Sequence, residues 1–379
     1  MNNPKHIKAL ILPELFPDFE GDMKGVFIED YLLAIHSKVD TQTLYVRLRG
    51  EQKGCISELY KNKFKLTRVV VCDENLPKWT KPFLYLKWFW KGYQYGITFK
   101  STNIIHAHGL VLNGLLAYFI SKKLNVPFVV TEHTGPFSQI AQHPILSKIA
   151  RFVSKKADKV LVVSEHQKQE VLKLKIPVNK IIVTYNPVND IIFKPKPENI
   201  LFNKIAFVSR LDEFKGGLRT LKAFHQLLST HPDYELKIVG EGEEKIAIEN
   251  YIEESQLQNK VKMKGLLTKA EIAKTLKTVD FLVFPSRHET FGLVVAESLS
   301  SGVPVVCTNQ TAPKEFVNES NGILVTPDDV SAIHQGMLQL IENYDKYNAV
   351  GISEEITNRF GLTNFGKKLT IIYQELCAE

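Results

Sequence analysis

Two carboxylates eight residues apart, Glu289 and Glu297, frame the stretch best equipped for chemistry, Ser286 to Gly302, SRHETFGLVVAESLSSG. An apolar run, Phe281 to Phe284, leads through Pro285 into the polar loop that carries Glu289, and Phe291-Gly292-Leu293 then opens an apolar helix that carries Glu297. Strand, loop and helix in that order place Glu289 at the carboxyl edge of a parallel sheet, where α/β folds bind ligands. The helix start offers free N–H groups and a partial positive charge, which suit a phosphate. Such a pair could be the acid and base of a glycoside hydrolase, or it could hold the two ends of one long ligand. Eight helical residues separate Cα atoms by about 12 Å, whereas hydrolase carboxyl pairs stand roughly 5–9.5 Å apart. The long ligand is the better fit. Spacing alone proves little, since 28 glutamates in 379 residues give roughly two such pairs by chance, and Glu235/Glu243 and Glu241/Glu249 are two others. The aromatic-Gly step between the acids is what sets HETFGLVVAE apart.

A second constellation is cationic. An apolar strand ending in Ser209-Arg210 leads into LDEFKGG, so Arg210 and Lys215 flank a turn whose glycines open a helix. Guanidinium and ammonium beside a helix N-terminus can neutralise a diphosphate, with the glycines admitting close approach. Val239-Gly240-Glu241-Gly242 reads as a tight strand–helix turn. In the first half, Ile105-His106-Ala107-His108-Gly109 ends a strand whose alternation puts both histidines on one face. Glu132-His133 ends the next strand. Neither histidine pair has a partnered acid at metal-ligand spacing, so metal-independent chemistry with no cofactor is expected.

Short apolar runs alternate with helical patterns throughout. His6–Leu12, Thr43–Val46, Ile104–His108, Phe128–His133, Val160–Ser164 and Ile181–Tyr185 predict one doubly wound sheet. After a Pro-rich linker (Pro187, Pro195, Pro197), Ile205–Ser209, Leu236–Gly240, Val261–Gly265, Phe281–Pro285, Val303–Thr308 and Ile323–Val325 predict a second. Helices are expected at Val26–Ser37, Leu218–Ser229, Glu244–Ser255, Asp328–Glu342 and Asn364–Leu376. A nicotinamide-dependent dehydrogenase shares this alternation, but the GxGxxG fingerprint is missing after the first strand, where the chain reads LPELFPDFEGDMKG.

With RLDEFKGG and SRHETFGLVVAE as its most specific parts, the sequence resembles the retaining glycosyltransferases of family 4 over nearly its whole length. The resemblance implies a GT-B fold: an α/β protein with two facing Rossmann-like, doubly wound domains and a cleft between them. Residues 1–190 would form the acceptor-side domain, joined by a crossover helix from about 360–379, and residues 191–359 the nucleotide-sugar domain, with a hinge near Pro187–Pro197. It further implies that Glu289 binds donor-sugar hydroxyls, Glu297 the ribose, and Arg210 and Lys215 the diphosphate, together with the amides of Phe291, Gly292 and Leu293. Gly240 would stand beside the nucleotide, and the backbone of Lys262–Leu266 would read the base. His108 would meet the transferred sugar, and His133 would serve the acceptor side. Relatives carry Gly-Gly where this chain has Glu20-Gly-Asp-Met-Lys-Gly25, so Gly25 alone is carried over to the diphosphate. Asn186-Pro-Val-Asn189 and Thr311-Ala-Pro-Lys-Glu315 also depart from the family's pattern. The implied reaction is transfer of a sugar from a nucleoside-diphosphate sugar to a glycan or lipid-linked acceptor, in bacterial surface polysaccharide assembly (capsule, O-antigen or exopolysaccharide). The alternative is a non-catalytic nucleotide-sugar sensor or scaffold with the same fold.

Composition narrows the setting. Four scattered cysteines argue for a reducing compartment and against a zinc or disulfide framework. The apolar run Ala9–Leu12 is too short for a signal peptide or an anchor, which predicts a cytoplasmic protein. Residues 1–198 carry a formal +12 and the remainder −5, together the chain's +7. The basic half, with all three tryptophans interleaved with lysines in PKWTKPFLYLKWFWKGYQY, fits peripheral association with the inner face of a membrane. No nucleic-acid-binding module is recognisable.

Overall fold

The computed structural model describes residues 7–17, 24–48, 54–61, 63–71, 77, 80–96, 102–196 and 201–378. His6, the loop residues 20–23, Cys72, Trp79 and Pro197 lie outside the described residues.

The first sheet contains β1 (Ile7–Leu12), β2 (Val39–Arg47), β3 (Gly54–Tyr60), β4 (Phe64–Val70), β5 (Ile104–His108), β6 (Phe128–Glu132), β7 (Lys159–Val162) and β8 (Ile181–Val183), in the order β3-β4-β2-β1-β5-β6-β7-β8. Pairing is parallel except for the antiparallel β3–β4 edge. Its central strands β1, β5, β6 and β7 are buried on both faces, as a sheet covered on both sides requires. Leu10, Ile105 and Val130 pack on one side under α2 (Lys81–Gly96), α3 (Leu112–Leu124), α4 (Ser138–Gln142) and α5 (Pro144–Lys156). Ile11, Ile104 and Val129 pack on the other, under α1 (Val26–Ile35). α6 (Glu165–Leu172) follows β7.

The second sheet is wholly parallel, in the order β11-β10-β9-β12-β13-β14, with β9 (Lys204–Val208), β10 (Glu235–Val239), β11 (Val261–Met263), β12 (Phe281–Phe284), β13 (Val305–Thr308) and β14 (Gly322–Val325). It is covered by α7 (Gly217–Leu227), α8 (Lys245–Glu254), α9 (Lys269–Leu276), α10 (Leu293–Ser300), α11 (Val330–Glu342) and α12 (Ala349–Phe360). α13 (Leu362–Ala378) then returns to the first domain, where Phe365, Leu369 and Tyr373 join Ile28, Tyr31 and Leu32 in one core. The fold is that of two Rossmann-like α/β domains.

Both sheets reverse their winding beside a central strand, at β1/β5 and at β9/β12. Such switch points are where parallel sheets open a crevice at their carboxyl ends. The segments Arg210–Gly217 and Ser286–Gly292 follow β9 and β12, and His108-Gly109 follows β5. The two chain crossings run side by side, with the Val188 N–H donating to Phe360 O at 2.9 Å and Val188 bridging Gly361.

Several strands stop short of their predicted ends because the last residues serve the turn. Ser164 accepts the Gln167 N–H as the cap of α6, Tyr185 has φ +62°, and Gly240 has φ +137°. β2 starts four residues earlier than its apolar run, at Val39. The β3–β4 hairpin was not predicted, and most of β3 is exposed, so it carries no core-facing alternation.

Candidate active site

Lys215 and Glu289 meet at the centre of the second domain's crevice. The Lys215 ammonium stands 2.5 Å from Glu289 Oε1, with side chains only 22% and 12% exposed. One residue comes from the turn after β9 and the other from the loop after β12, so the switch point itself makes the contact. Arg210, expected beside them, turns outward; its guanidinium pairs with Asp212 at 2.5 Å and its side chain is 73% exposed.

The helices around this pair begin in an unusual way. α5, α6, α9, α11 and α12 start under capping side chains of His143, Ser164, Thr268, Asp329 and Asn348. α1, α7 and α10 start instead on left-handed Gly25, Gly216 and Gly292, with no side-chain cap. Their first N–H groups are therefore left for another acceptor, and an anion suits them. At Gly292 a Cβ would stand 2.7 Å from Pro313 Cγ, and at Gly25 it would meet Leu15 O at 2.5 Å, so no side chain fits at either place. Phe291 is buried among Tyr185, Phe316 and Phe360, which fixes the amides that follow it. Gly240 lies directly against the Ser209 carbonyl, packing the turns after β10 and β9 together.

Glu297 does not sit on a solvated helix face. It is 5% exposed, and burial pushes its carboxyl up to about 8, with nearby Lys269 opposing and Asp30 adding to the rise. Lys269, on α9, forms a buried ion pair with Asp30 on α1, and Asn189 donates to the same carboxylate at 3.0 Å. Glu297 thus faces the seam between the domains.

On the first-domain side, His106, His108 and His133 stack as a ladder, with ring centroids 4.4 Å and 5.1 Å apart. His106 is braced by Tyr373 of α13 at 2.5 Å and Thr131 Oγ1 at 2.7 Å. His108, the middle ring, is 2% exposed and bonds His133 Nε2 through its own Nδ1 at 2.8 Å. Burial pushes all three imidazoles well below their ordinary pKa, so the ladder is neutral. His133 Nδ1 is buried and has no hydrogen-bond partner among the described residues. Tyr31 lies edge-on to all three rings and donates to Asn186 Oδ1 at 3.1 Å. Glu132 is spent on structure, accepting the N–H groups of Leu110, His133 and Thr134. Among the described residues no cluster of three His, Cys, Asp or Glu side chains could hold a metal ion.

Residues 189–354 match the family of glycosyl transferases group 1, and residues 56–190 match Glycosyltransferase Family 4. Together these matches span most of the chain. The chain belongs to glycosyltransferase family 4. This glycosyltransferase is 26% identical to an uncharacterized glycosyltransferase of Methanocaldococcus jannaschii over 81% of its own length and 85% of that protein's. It is 24% identical to the 2-deoxystreptamine N-acetyl-D-glucosaminyltransferase of Niallia circulans, over 63% of its length and 66% of that protein's. Among solved structures, a sucrose-phosphate synthase from Thermosynechococcus elongatus shares its fold with a TM-score of 0.79 at 19% identity, covering 98% of this chain and 99% of the other. HepE of Anabaena, crystallised with UDP and glucose, does so with a TM-score of 0.76 at 18% identity, covering 98% and 100%. The glycosyltransferase therefore has a GT-B fold.

Asp30, Lys269, Tyr31 and Glu315 were not singled out from the sequence. Glu315 Oε1 and Oε2 accept the N–H groups of His166 and Glu165 at 2.7 and 2.9 Å, so a second-domain carboxylate binds the start of a first-domain helix. Only the departure Thr311–Glu315 from the family's pattern pointed there.

Proposed function

We propose that the enzyme is a retaining glycosyltransferase that moves a sugar from a nucleoside-diphosphate donor to a hydroxyl of a glycan or lipid-linked acceptor. The observation that carries this reading is the Lys215–Glu289 pair beside the uncapped N-terminus of α10. The diphosphate would lie on the amides from Gly292 onward, with Lys215 neutralising it and Glu289 accepting hydroxyls of the sugar. Charge that develops on the departing phosphate then meets fixed donors in a partly dry site, which is where such donors lower a barrier most. Arg210, exposed and paired only locally, would swing onto the diphosphate from solvent. Glu297 would take the ribose hydroxyls and Gly240 would border the nucleotide. His133, whose buried Nδ1 has no partner among the described residues, would serve the acceptor side, and His108, bonded to it, would meet the transferred sugar.

Among the described residues no strong candidate nucleophile for a double displacement emerges. Same-face substitution, with the leaving phosphate taking the acceptor's proton, is the proposed course. The cationic work falls to Lys215, Arg210 and helix N-termini, so turnover is expected without a divalent metal. HepE with UDP and glucose supports a nucleotide-sugar donor. The basic first half supports a setting at the cytoplasmic face of a membrane, in surface polysaccharide assembly.

The test is nucleoside-diphosphate release across UDP-, GDP- and ADP-sugars in the presence of a chelator. One donor should be hydrolysed slowly, and Glu289→Ala should lower that rate by about 10²–10³. Donor binding without turnover, whatever acceptor is supplied, would instead support a nucleotide-sugar sensor or scaffold.

A further inference from the structure

One layer of the first domain carries charge of a single sign. The helices α2, α3, α4 and α5 cover the sheet face opposite α1 and α13 and contain no aspartate or glutamate. α5 alone presents Lys148, Arg151, Lys155 and Lys156, all exposed, and α3 ends in exposed Lys122 and Lys123. A solvated surface normally intersperses both signs, so this run of helices departs from the ordinary solubilising pattern.

The same layer exposes large apolar side chains. Phe83 is 70% exposed, Phe119 51% and Ile145 63%. Ring and cation contacts join the helices that carry them. Tyr118 packs edge-on to exposed Phe152 at 5.0 Å and touches Phe119 at 5.4 Å, joining α3 to α5. Lys123 lies over the rings of Trp90 and Tyr93 at 5.9 and 5.7 Å, joining α3 to α2. Lys91 covers Trp88 at 4.5 Å. Half-exposed aromatics under lysine ammonium groups, with isolated rings standing clear of them, match an interface that is apolar inside and anionic at its rim.

We propose that the α2–α3–α5 face docks on an anionic lipid bilayer, its lysines and arginines meeting headgroup phosphates and Phe83, Phe119 and Ile145 entering the acyl boundary. This rests on the membrane-side setting proposed above and names the surface that would serve it. Among the described residues no helix is long and apolar enough to cross a membrane, so the attachment is peripheral and reversible. The sequence pointed to residues 77–95 alone. The fold shows that α2 supplies one edge of the patch and that the cation-rich part lies on α5.

Cosedimentation with vesicles tests it, using phosphatidylcholine alone and phosphatidylcholine with about one third phosphatidylglycerol. The full chain should pellet with the anionic vesicles, stay free of the neutral ones, and be released by high salt. Lys155→Gln with Lys156→Gln should weaken partitioning about tenfold or more, and Phe119→Ser with Ile145→Ser should do the same while keeping the wild-type melting temperature and donor hydrolysis. A wild type that stays in the supernatant with anionic vesicles at low salt overturns the proposal. So does pelleting of both variants as fully as the wild type, or retention on an RNA homopolymer without vesicle binding. Donor hydrolysis is read without vesicles, so a wild type that turns over donor but does not bind anionic vesicles refutes this surface and leaves the transferase reading intact.

Discussion

At the scale of single residues, the best-defined chemistry belongs to carboxylates in two different surroundings. Glu289 is held by a cation at 2.5 Å, whereas Glu297 is buried against the domain seam with its carboxyl raised to about 8. A carboxyl raised above its unfolded value favours the folded state while protonated. Its contribution is therefore complete below about 4.5 and is lost as pH rises through about 8. Glu297→Gln removes that dependence. Melting curves of wild type and E297Q should run closest at pH 5 and diverge toward pH 8, with the variant the more stable, while its donor affinity falls as a ribose contact is lost. Parallel curves across that range would show that Glu297 is ionised in the folded enzyme. Glu289, Lys215 and Glu297 were legible in the sequence because each sits in a short motif with a fixed place after a strand. Asp30 and Lys269 were not, because they are far apart in the chain and only the packing of α1 against α9 makes them a pair.

At the scale of elements, strand cores and helix types were legible from apolar runs, since parallel strands buried on both faces must be apolar throughout. What the pattern hid was surface structure. β3 is mostly exposed, and α2 buries little besides Phe89, Gly92 and Gly96, so neither has a clean period to read. Glycine gave a clearer local signal, because Gly25, Gly216 and Gly292 each start a helix in the left-handed region with no side-chain cap. Gly292→Ala tests whether that start is required. Its φ of +87° disfavours any Cβ, and the added carbon would sit 2.7 Å from Pro313 Cγ. A cost of about 1–3 kcal/mol is expected from strain alone. Titration with the hydrolysed donor's nucleoside diphosphate should show weaker binding by at least tenfold, through displacement of the Leu293 amide. Unchanged nucleotide affinity in a folded G292A enzyme would remove α10 from the diphosphate site.

At the scale of the whole molecule, a path of contacts joins the linker to the nucleotide side of the cleft. Asn189, next to the paired crossings at Val188 and Gly361, donates to Asp30; Asp30 pairs with Lys269; and the Lys269 ammonium acts on Glu297, the residue assigned to ribose. Across the seam a second contact, Glu315 on the start of α6, holds the domains together independently of the ligand site. Below about pH 8, where burial keeps Glu297 protonated, Asp30→Asn would leave the Lys269 ammonium buried without a counter-charge, and losing one member of a buried pair costs about 3–5 kcal/mol. Parting the domains hydrates that ammonium and relieves most of the cost, so the variant should open rather than unfold. Solution scattering should show a larger radius of gyration than wild type, reversed by saturating donor and enlarged further by Glu315→Gln. Asp30→Leu with Lys269→Met should recover the compact form, because an apolar pair of similar volume leaves no charge to hydrate. That double variant separates the two roles of the seam. If it is compact yet binds donor weakly, Lys269 serves the ribose site through Glu297; if it is compact and binds normally, the ion pair serves closure alone.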